Sequence, residues 1–505
     1  MRIIRFSLAI LGSFLIAPAA IAAYTLLPFQ SMPVGSASKA VAIGDVNGDG
    51  RDDAILATGF RFDAVNDYSV FVFLQQKDGT LADPLRFPYL SQIISDAGLA
   101  VADLDGVKGS EIVVGHNAGV TILRWSRGRI QAGMRSTLYD VSRQVEHVAI
   151  ADVDRDGHPD IVGLGSDGST VFFNDGRGGI VRTAQMATPP SSRADMKSAD
   201  LDADGHLDIV MQPGDPSNDI ALVYLNDGSD DLAPPFSLDP GDFSVNFGVV
   251  ATPDFDDDGL TDLVVGRSHG ELATFRQSTP GNLVPDTPIT SFDAAAMQSA
   301  DIDGDGRDDL AARTGNNGVL IYLQDDSGLV FAGSYGGPQG STAVNSNGLA
   351  LGDLNGDACT DVAVFDANSG LAVFPGSDCL PAKDVATNVG LTRSNVALRI
   401  DNFGPGQADA IATTLTLSVL QGALQLGTLP AGCTAVAQNL RIATLECTIG
   451  TLAAGTHRML PIPISVSGGD RRNRLHSVAE SSVAGRDLHP ANNRAVDSLW
   501  LAISP

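Results

Sequence analysis

Basic residues are scarce in this chain: 32 lysines and arginines stand against 60 aspartates and glutamates, for a formal net charge of −28. Such a balance excludes ordinary nucleic-acid binding, because phosphate recognition needs basic patches. Beyond the N-terminus there is no apolar run long enough to cross a bilayer as a helix. Familiar catalytic signatures are missing too. No Gly-x-Ser-x-Gly elbow, His-Glu-x-x-His helix or phosphate loop occurs. Only four cysteines are present, in two close pairs, Cys359/Cys379 and Cys433/Cys447. An even count with this spacing suits disulfides in an exported chain better than a metal site.

The first residues, "MRIIRFSLAILGSFLIAPAAIAAYTLL", fit export. Arg2 and Arg5 precede an apolar stretch from Phe6 to Ile16, and Ala20-Ile21-Ala22 supplies small residues for cleavage. Residues 1–22 are therefore expected to be a signal peptide. Pro18 breaks the run, which argues against a membrane anchor, and no cysteine follows it for lipid attachment. The expected location is extracellular, at the cell surface or in a periplasm.

What the chain does have is a repeat. "DVNGDGRDD" begins at Asp45, "DLDGVKGSE" at Asp103, "DVDRDGHPD" at Asp152 and "DLDADGHLD" at Asp200. "DFDDDGLTD" begins at Asp254, "DIDGDGRDD" at Asp301 and "DLNGDACTD" at Asp353, so successive copies stand 58, 49, 48, 54, 47 and 52 residues apart. Each copy is preceded by a short run of small and apolar residues and followed by two apolar runs and a Gly-rich turn. Runs rich in Val, Ile, Phe and Tyr between such turns are strands. Four strands in about 50 residues describe one blade of a propeller. The seventh copy lacks a fourth run, whereas residues 25–35 are strand-like without a partner. They are expected to supply the outer strand of the last blade and close the ring.

Like charges crowd each acidic loop, and a cation would relieve them. With the first aspartate at position 1, side-chain oxygens fall at positions 1, 3, 5 and 9, and the carbonyl of position 7 can turn inward. In one copy these are Asp152, Asp154, Asp156 and Asp160 with His158. The matching sets are Asp45, Asn47, Asp49, Asp53 with Arg51; Asp200, Asp202, Asp204, Asp208 with His206; and Asp254, Asp256, Asp258, Asp262 with Leu260. Two more are Asp301, Asp303, Asp305, Asp309 with Arg307, and Asp353, Asn355, Asp357, Asp361 with Cys359. Hard oxygens at alternate positions of a tight loop suit Ca²⁺. No glutamate stands at position 12, so an EF-hand is disfavoured. Five strong sites are expected. The Asp353 site is expected to be weaker, since Ala358 replaces the glycine of position 6. The Asp103 loop, with Val107, Lys108 and Glu111, is expected to bind poorly or stay empty.

These residues resemble the FG-GAP/VCBS repeats of integrin-α-like β-propellers, over about residues 25–380. The resemblance implies a seven-bladed propeller with structural calcium between the first and second strands of each blade. It also implies that ligands bind the opposite face. From Lys383 the repeat stops, and "TLTLSVL", "LRIATLECTIGTL", "RMLPIPISV" and "AVDSLWLAI" read as strands of a β-sandwich. That region is similar to immunoglobulin-like modules of bacterial surface proteins. The fold expected is therefore all-β: a propeller over 24–382 and an immunoglobulin-like β-sandwich over 383–505.

The functional expectation is a binding or adhesion module for a glycan or protein. Loop residues expected to make contact are Arg61, Phe62, Tyr68, His116, Arg267, His269, Arg313 and Asn317. The segment 336–348, "GGPQGSTAVNSNG", belongs to the same face. The alternatives are a polysaccharide lyase or hydrolase and a purely structural surface protein. For an enzyme, His116, His147 and His269 are the histidines near the blades, and Glu271 is the one nearby carboxylate.

Overall fold

A computed structural model describes residues 24–501, apart from 61–62, 64, 90–96, 126–133, 142, 187, 189–193, 214–220, 228–231, 233–234, 240–247, 268–269, 292–293, 316–317, 339–345, 367–369, 381–382, 384, 405, 469–472 and 484–489. The signal peptide expected at 1–22 lies outside the described residues, as do Arg61, Phe62, His269 and Asn317.

The chain is nearly all β, built from repeated antiparallel sheets of mostly four strands. Among the described residues the first sheet contains Ser38–Gly44, Asp53–Thr58, Ser69–Phe73 and Leu85–Pro88, paired in that order. The pattern recurs in the sheets that begin at Gly98, His147, Asp195, Val250 and Ala294. The seventh begins at Leu349–Gly352, continues through Asp361–Asp366 and Gly370–Phe374, and takes its outer strand from Gln30–Pro33. Met32 lies opposite Leu371 in that pairing. The N-terminal segment thus closes the last sheet, as its unpartnered strand pattern implies.

Burial follows position within the sheet. Second strands such as Asp53–Thr58, Glu111–His116, Asp160–Gly165 and Asp361–Asp366 are buried at every residue. They are covered on both faces, which is why they read as continuous apolar runs rather than alternating ones. Fourth strands such as Ile180–Met186 and Gly328–Tyr335 are mostly exposed or half-buried, apolar Val181, Val330 and Phe331 included. The first strands touch in cyclic order, from Ser38–Gly44 through each sheet in turn to Leu349–Gly352, which packs against Ser38–Gly44 again. Apolar cores lie between neighbouring sheets, and one of them joins Leu354, Phe365 and Leu371 of the seventh to Leu56, Phe71 and Phe73 of the first.

Beyond Val385 two sheets face each other. One contains Val385–Leu391, Asn395–Asn402, His457–Ser467 and Ala423–Leu426. The other contains Cys433–Gln438, Ile442–Leu452, Ala408–Val419, Arg474–Ser482 and Arg494–Trp500. Strands here alternate buried and exposed, and Leu398, Ile400, Leu415, Leu417, Leu445 and Ile462 form a core of their own. Both disulfides are formed. Cys433 and Cys447 lie directly opposite on paired strands. Cys359 and Cys379 do not: Cys359 lies in the acidic loop before its strand, and Cys379 follows Gly376–Ser377.

Candidate metal centres

The acidic loops follow the first strand of each sheet and are wound by their own hydrogen bonds. Asp45 at position 1 accepts the N–H groups of Gly48, Asp49 and Gly50 at 2.7, 3.0 and 2.7 Å. Asn47 accepts Asp49 N–H at 2.8 Å, and Asp49 accepts Arg51 N–H at 3.1 Å. The same ladder appears where Asp200 takes the N–H groups of Asp204 and Gly205 and Asp204 takes that of His206. Glycine at position 6 has positive φ, from +86° at Gly259 to +96° at Gly306. Ala358 is forced into the same region, at φ +67°. Sequence reasoning missed position 4, which is also left-handed in every copy: at Gly48, Gly106, Gly304 and Gly356, but equally at Arg155, Ala203 and Asp257. The mixture of residue types hid that requirement.

An alanine held at positive φ costs about 1 kcal/mol relative to glycine. Ala358→Gly is therefore expected to stabilise the chain by about 0.5–1 kcal/mol in denaturant melts.

Position 9 does something the sequence does not announce. Asp53, Asp160, Asp208, Asp262, Asp309 and Asp361 are fully buried. Each staples two points of its sheet. Asp160 accepts Val153 N–H at 3.0 Å and Asn174 N–H at 2.8 Å, the latter just beyond the next hairpin. Asp208 does the same with Leu201 and Asn226, and Asp361 with Leu354 and Gly376. Burial pushes these carboxyls up, Asp160 and Asp208 to about 6 and Asp53, Asp262 and Asp361 to about 7.

Positions 1, 3 and 9 converge. Ligand atoms of Asp152, Asp154 and Asp160 lie within 4.8 Å of one another, and so do those of Asp200, Asp202 and Asp208; Asp254, Asp256 and Asp262; and Asp301, Asp303 and Asp309. These clusters could hold a metal ion. Asp103, Asp105 and Glu111 gather equally closely, although that loop was expected to bind poorly or stay empty. It still has Val107 at position 5, and its left-handed glycine is displaced to Gly109 at position 7. In the Asp45 and Asp353 loops position 3 is an amide, Asn47 or Asn355, in place of the carboxylate. Position 5 does not join the carboxylate clusters. Asp49, Asp156, Asp204, Asp258 and Asp357 are exposed, and Asp204 is engaged by Arg155 at 2.7 Å.

One feature fits a cation directly. Asp154 Oδ1 and Asp256 Oδ1 are buried without a hydrogen-bond partner, while Oδ2 of each is held by Arg182 at 2.8 Å and Arg276 at 2.5 Å. A buried carboxylate oxygen left without a partner is costly, and a hard cation satisfies it. Each cluster belongs to a single hairpin, so it ties a loop to itself. Neighbouring loops are joined by hydrogen bonds instead: Ser110 N–H to Asp45 O at 2.8 Å, Asn226 Nδ2 to Asp152 O at 2.8 Å, and Gln75 Nε2 to Asp353 O at 2.8 Å.

The opposite ends of the strands correct several expectations. His116 is buried, stacks on Tyr89 and bonds Thr121 Oγ1 at 2.9 Å. Arg313 is buried over Phe365, and that burial lowers its guanidinium to about 10. Neither can meet a ligand at the surface, because each strand continues through the residue and turns later. Tyr68 is half-buried beside Phe60 and Tyr89. The side chain of Arg267 lies outside the described residues. Glu271 is exposed at the start of a third strand, paired in register with Arg267.

In the 336–348 segment, Ser346 and Asn347 turn inward. Asn347 Nδ2 donates to Ala97 O at 3.1 Å and Glu146 O at 2.9 Å, and its backbone carbonyl accepts Val41 N–H at 2.9 Å. Ser346 Oγ lies 3.1 Å from His147 Nδ1. The two residues line a cavity of about 290 Å³ between the first strands, as do Lys197 and Gln298.

Comparison with known proteins agrees with the loops. The FG-GAP-like repeat family matches residues 152–211, 254–312 and 301–364, so the chain contains FG-GAP-like repeats. It is 30% identical to cartilage acidic protein 1 of Xenopus tropicalis over 231 residues, 41% of this chain and 35% of that one. It is 34% identical to mouse (Mus musculus) phosphatidylinositol-glycan-specific phospholipase D over 144 residues, 23% of this chain and 17% of that one. The chain therefore spans well under half the length of these relatives. Among solved structures, an Agrocybe aegerita lectin described as recognising non-reducing terminal N-acetylglucosamine aligns over 69% of this chain and 86% of its own, at 16% identity and a TM-score of 0.44.

Proposed function

We propose that residues 24–382 form a seven-bladed β-propeller stiffened by calcium and residues 383–505 an immunoglobulin-like sandwich. On this reading the chain works outside the cytoplasm as a binding module for a glycan or protein. The observation that supports it best is the convergence of positions 1, 3 and 9 in one hairpin after another, with orphaned oxygens at Asp154 and Asp256. Two disulfides fit an oxidising compartment, and among the described residues no helix is long and apolar enough to cross a membrane.

Calcium binding is tested by melting in chelator and in added calcium. At 10 mM calcium, a site with a dissociation constant near 10⁻⁴–10⁻³ M contributes about 1.4–2.7 kcal/mol. Several such sites should raise the melting temperature by many degrees, and an unchanged melt would remove calcium from the proposal. The binding role is tested on a glycan array with and without calcium: capture supports it, and turnover of a polysaccharide would replace it with the enzymatic alternative.

A further inference from the structure

In the first, third, fourth and fifth sheets the end of the third strand or the stretch after it leans on the acidic loop of the preceding sheet. A Cβ at Gly79 in the first sheet would meet Asn355 O of the Asp353 loop at 2.2 Å, and one at Gly281 in the fifth would meet Asp202 Cβ at 3.5 Å. Asn174 and Asn226 in the third and fourth sheets donate to Leu104 O and Asp152 O of the loops before them. In those sheets the chain goes on to supply its own fourth strand. The seventh sheet cannot do this, because its fourth strand comes from Gln30–Pro33.

There the chain beyond Phe374 runs free of a hairpin, yet it occupies the same place. Leu380 N–H donates to Asp303 O at 2.6 Å, and a Cβ at Gly304 would meet Leu380 O at 2.5 Å. Gly304 is buried as a result, whereas position 4 of the other six loops is half-buried or exposed. Gly376 and Ser377 are held by pairing with Leu26 and Thr25; beyond them the strap is tied by Cys379, bonded to Cys359 at position 7 of the Asp353 loop. Thr360, next to Cys359, reaches back to Asp301 O at 3.2 Å.

We propose that residues 378–380 are a cover over the Asp301 loop, held shut by the Cys359–Cys379 disulfide, which does the work of the hairpin that ring closure removes. Opening the bridge frees the strap and exposes that one loop. A dithiol reductant accomplishes this by thiol–disulfide exchange, leaving two cysteine thiols and the oxidised cyclic dithiol. The consequence for cation retention rests on the reading of the Asp301 loop as a cation site; the cover itself does not.

Hydrogen exchange on the whole disulfide-bonded chain tests it, metal-free and in calcium. In Cys379→Ser, amides of 301–309 should exchange at least tenfold faster while those of 200–208 stay unchanged. Leu380→Pro, which keeps the bridge but removes the N–H that holds Asp303 O, should do the same and covers the case in which the serine variant fails to fold. In a calcium titration one site should weaken about tenfold and the others should not. Unchanged exchange at 301–309 in the folded variants, or an equal rise in every loop, would overturn the cover. If the unaltered chain takes up no calcium, the cation reading falls while the metal-free exchange still decides the cover.

Discussion

Asp309→Ala is expected to destabilise the chain by about 2–4 kcal/mol in chelator, whereas Asp156→Ala under the same conditions should cost less than about 1 kcal/mol. Both residues stand in the repeat as acidic loop members, but their surroundings differ. Asp309 is fully buried and accepts the N–H groups of Ile302, Asp303 and Gln324 at 2.8, 3.2 and 2.8 Å. Alanine leaves those donors buried without acceptors. Asp156 is exposed and accepts His158 N–H, which water can replace. Asp309→Asn keeps one acceptor oxygen and should fall between the two. The same residue gives the metal-free chain a pH dependence. Burial pushes Asp309 up to about 8, and Glu111 to about 7, against an ordinary value near 4. A carboxyl raised in the fold contributes stability that is fully present below about pH 4 and is lost as pH rises through 8. Calcium holds the ionised form, so it should flatten this decline. Denaturant melts at pH 6 and pH 9, with and without calcium, check the sign; a metal-free chain equally stable at both would exclude the staple as described.

The repeat was legible because its spacing and acidic pattern depend on local chain geometry: seven loops, each followed by an apolar run, map onto seven sheets. Convergence of positions 1, 3 and 9 was legible for the same reason. The double duty of position 9 was not, since its hydrogen bonds to Gln324 or Asn174 depend on a hairpin's return, which composition does not fix. Arginine at position 4 of the Asp152 loop gives no hint of left-handed backbone, yet Arg155 sits at φ +57° and reaches Asp204 of the next loop. Polar residues near turns misled most. His116 and Arg313 look like loop residues, but one finds Thr121 and Tyr89 and the other Phe365, so both are buried. Asn347 lines the cavity between the first strands through partners on distant segments, Ala97 and Glu146, that no local pattern connects to it.

Deleting residues 24–35 is expected to abolish the cooperative melt of the ring while leaving the C-terminal sandwich, with its separate core, to unfold on its own. The segment does more than add a strand. Gln30–Pro33 pairs with Val373, Ala372, Leu371 and Gly370, and Thr25 and Leu26 pair with Ser377 and Gly376. Tyr24 is buried and its hydroxyl donates to Thr360 O at 2.6 Å, beside the staple residue Asp361; burial raises that phenol well above its ordinary value. Phe29 packs on Phe374 with ring centroids 5.3 Å apart. Without these contacts Gly370–Phe374, an apolar strand buried throughout, becomes a bare edge, and such edges recruit other chains. Loss of cooperativity should therefore come with concentration-dependent aggregation. Tyr24→Phe separates hydrogen bonding from strand pairing and should cost only about 1–2 kcal/mol. A synthetic peptide of residues 24–35, added in trans, should restore part of the melt, since the groove it fills is formed by strands that remain. An unchanged melt after deletion would mean that the seventh and first sheets hold together without the N-terminal strand, through Leu354 and Phe365 against Leu56 and Phe73 alone.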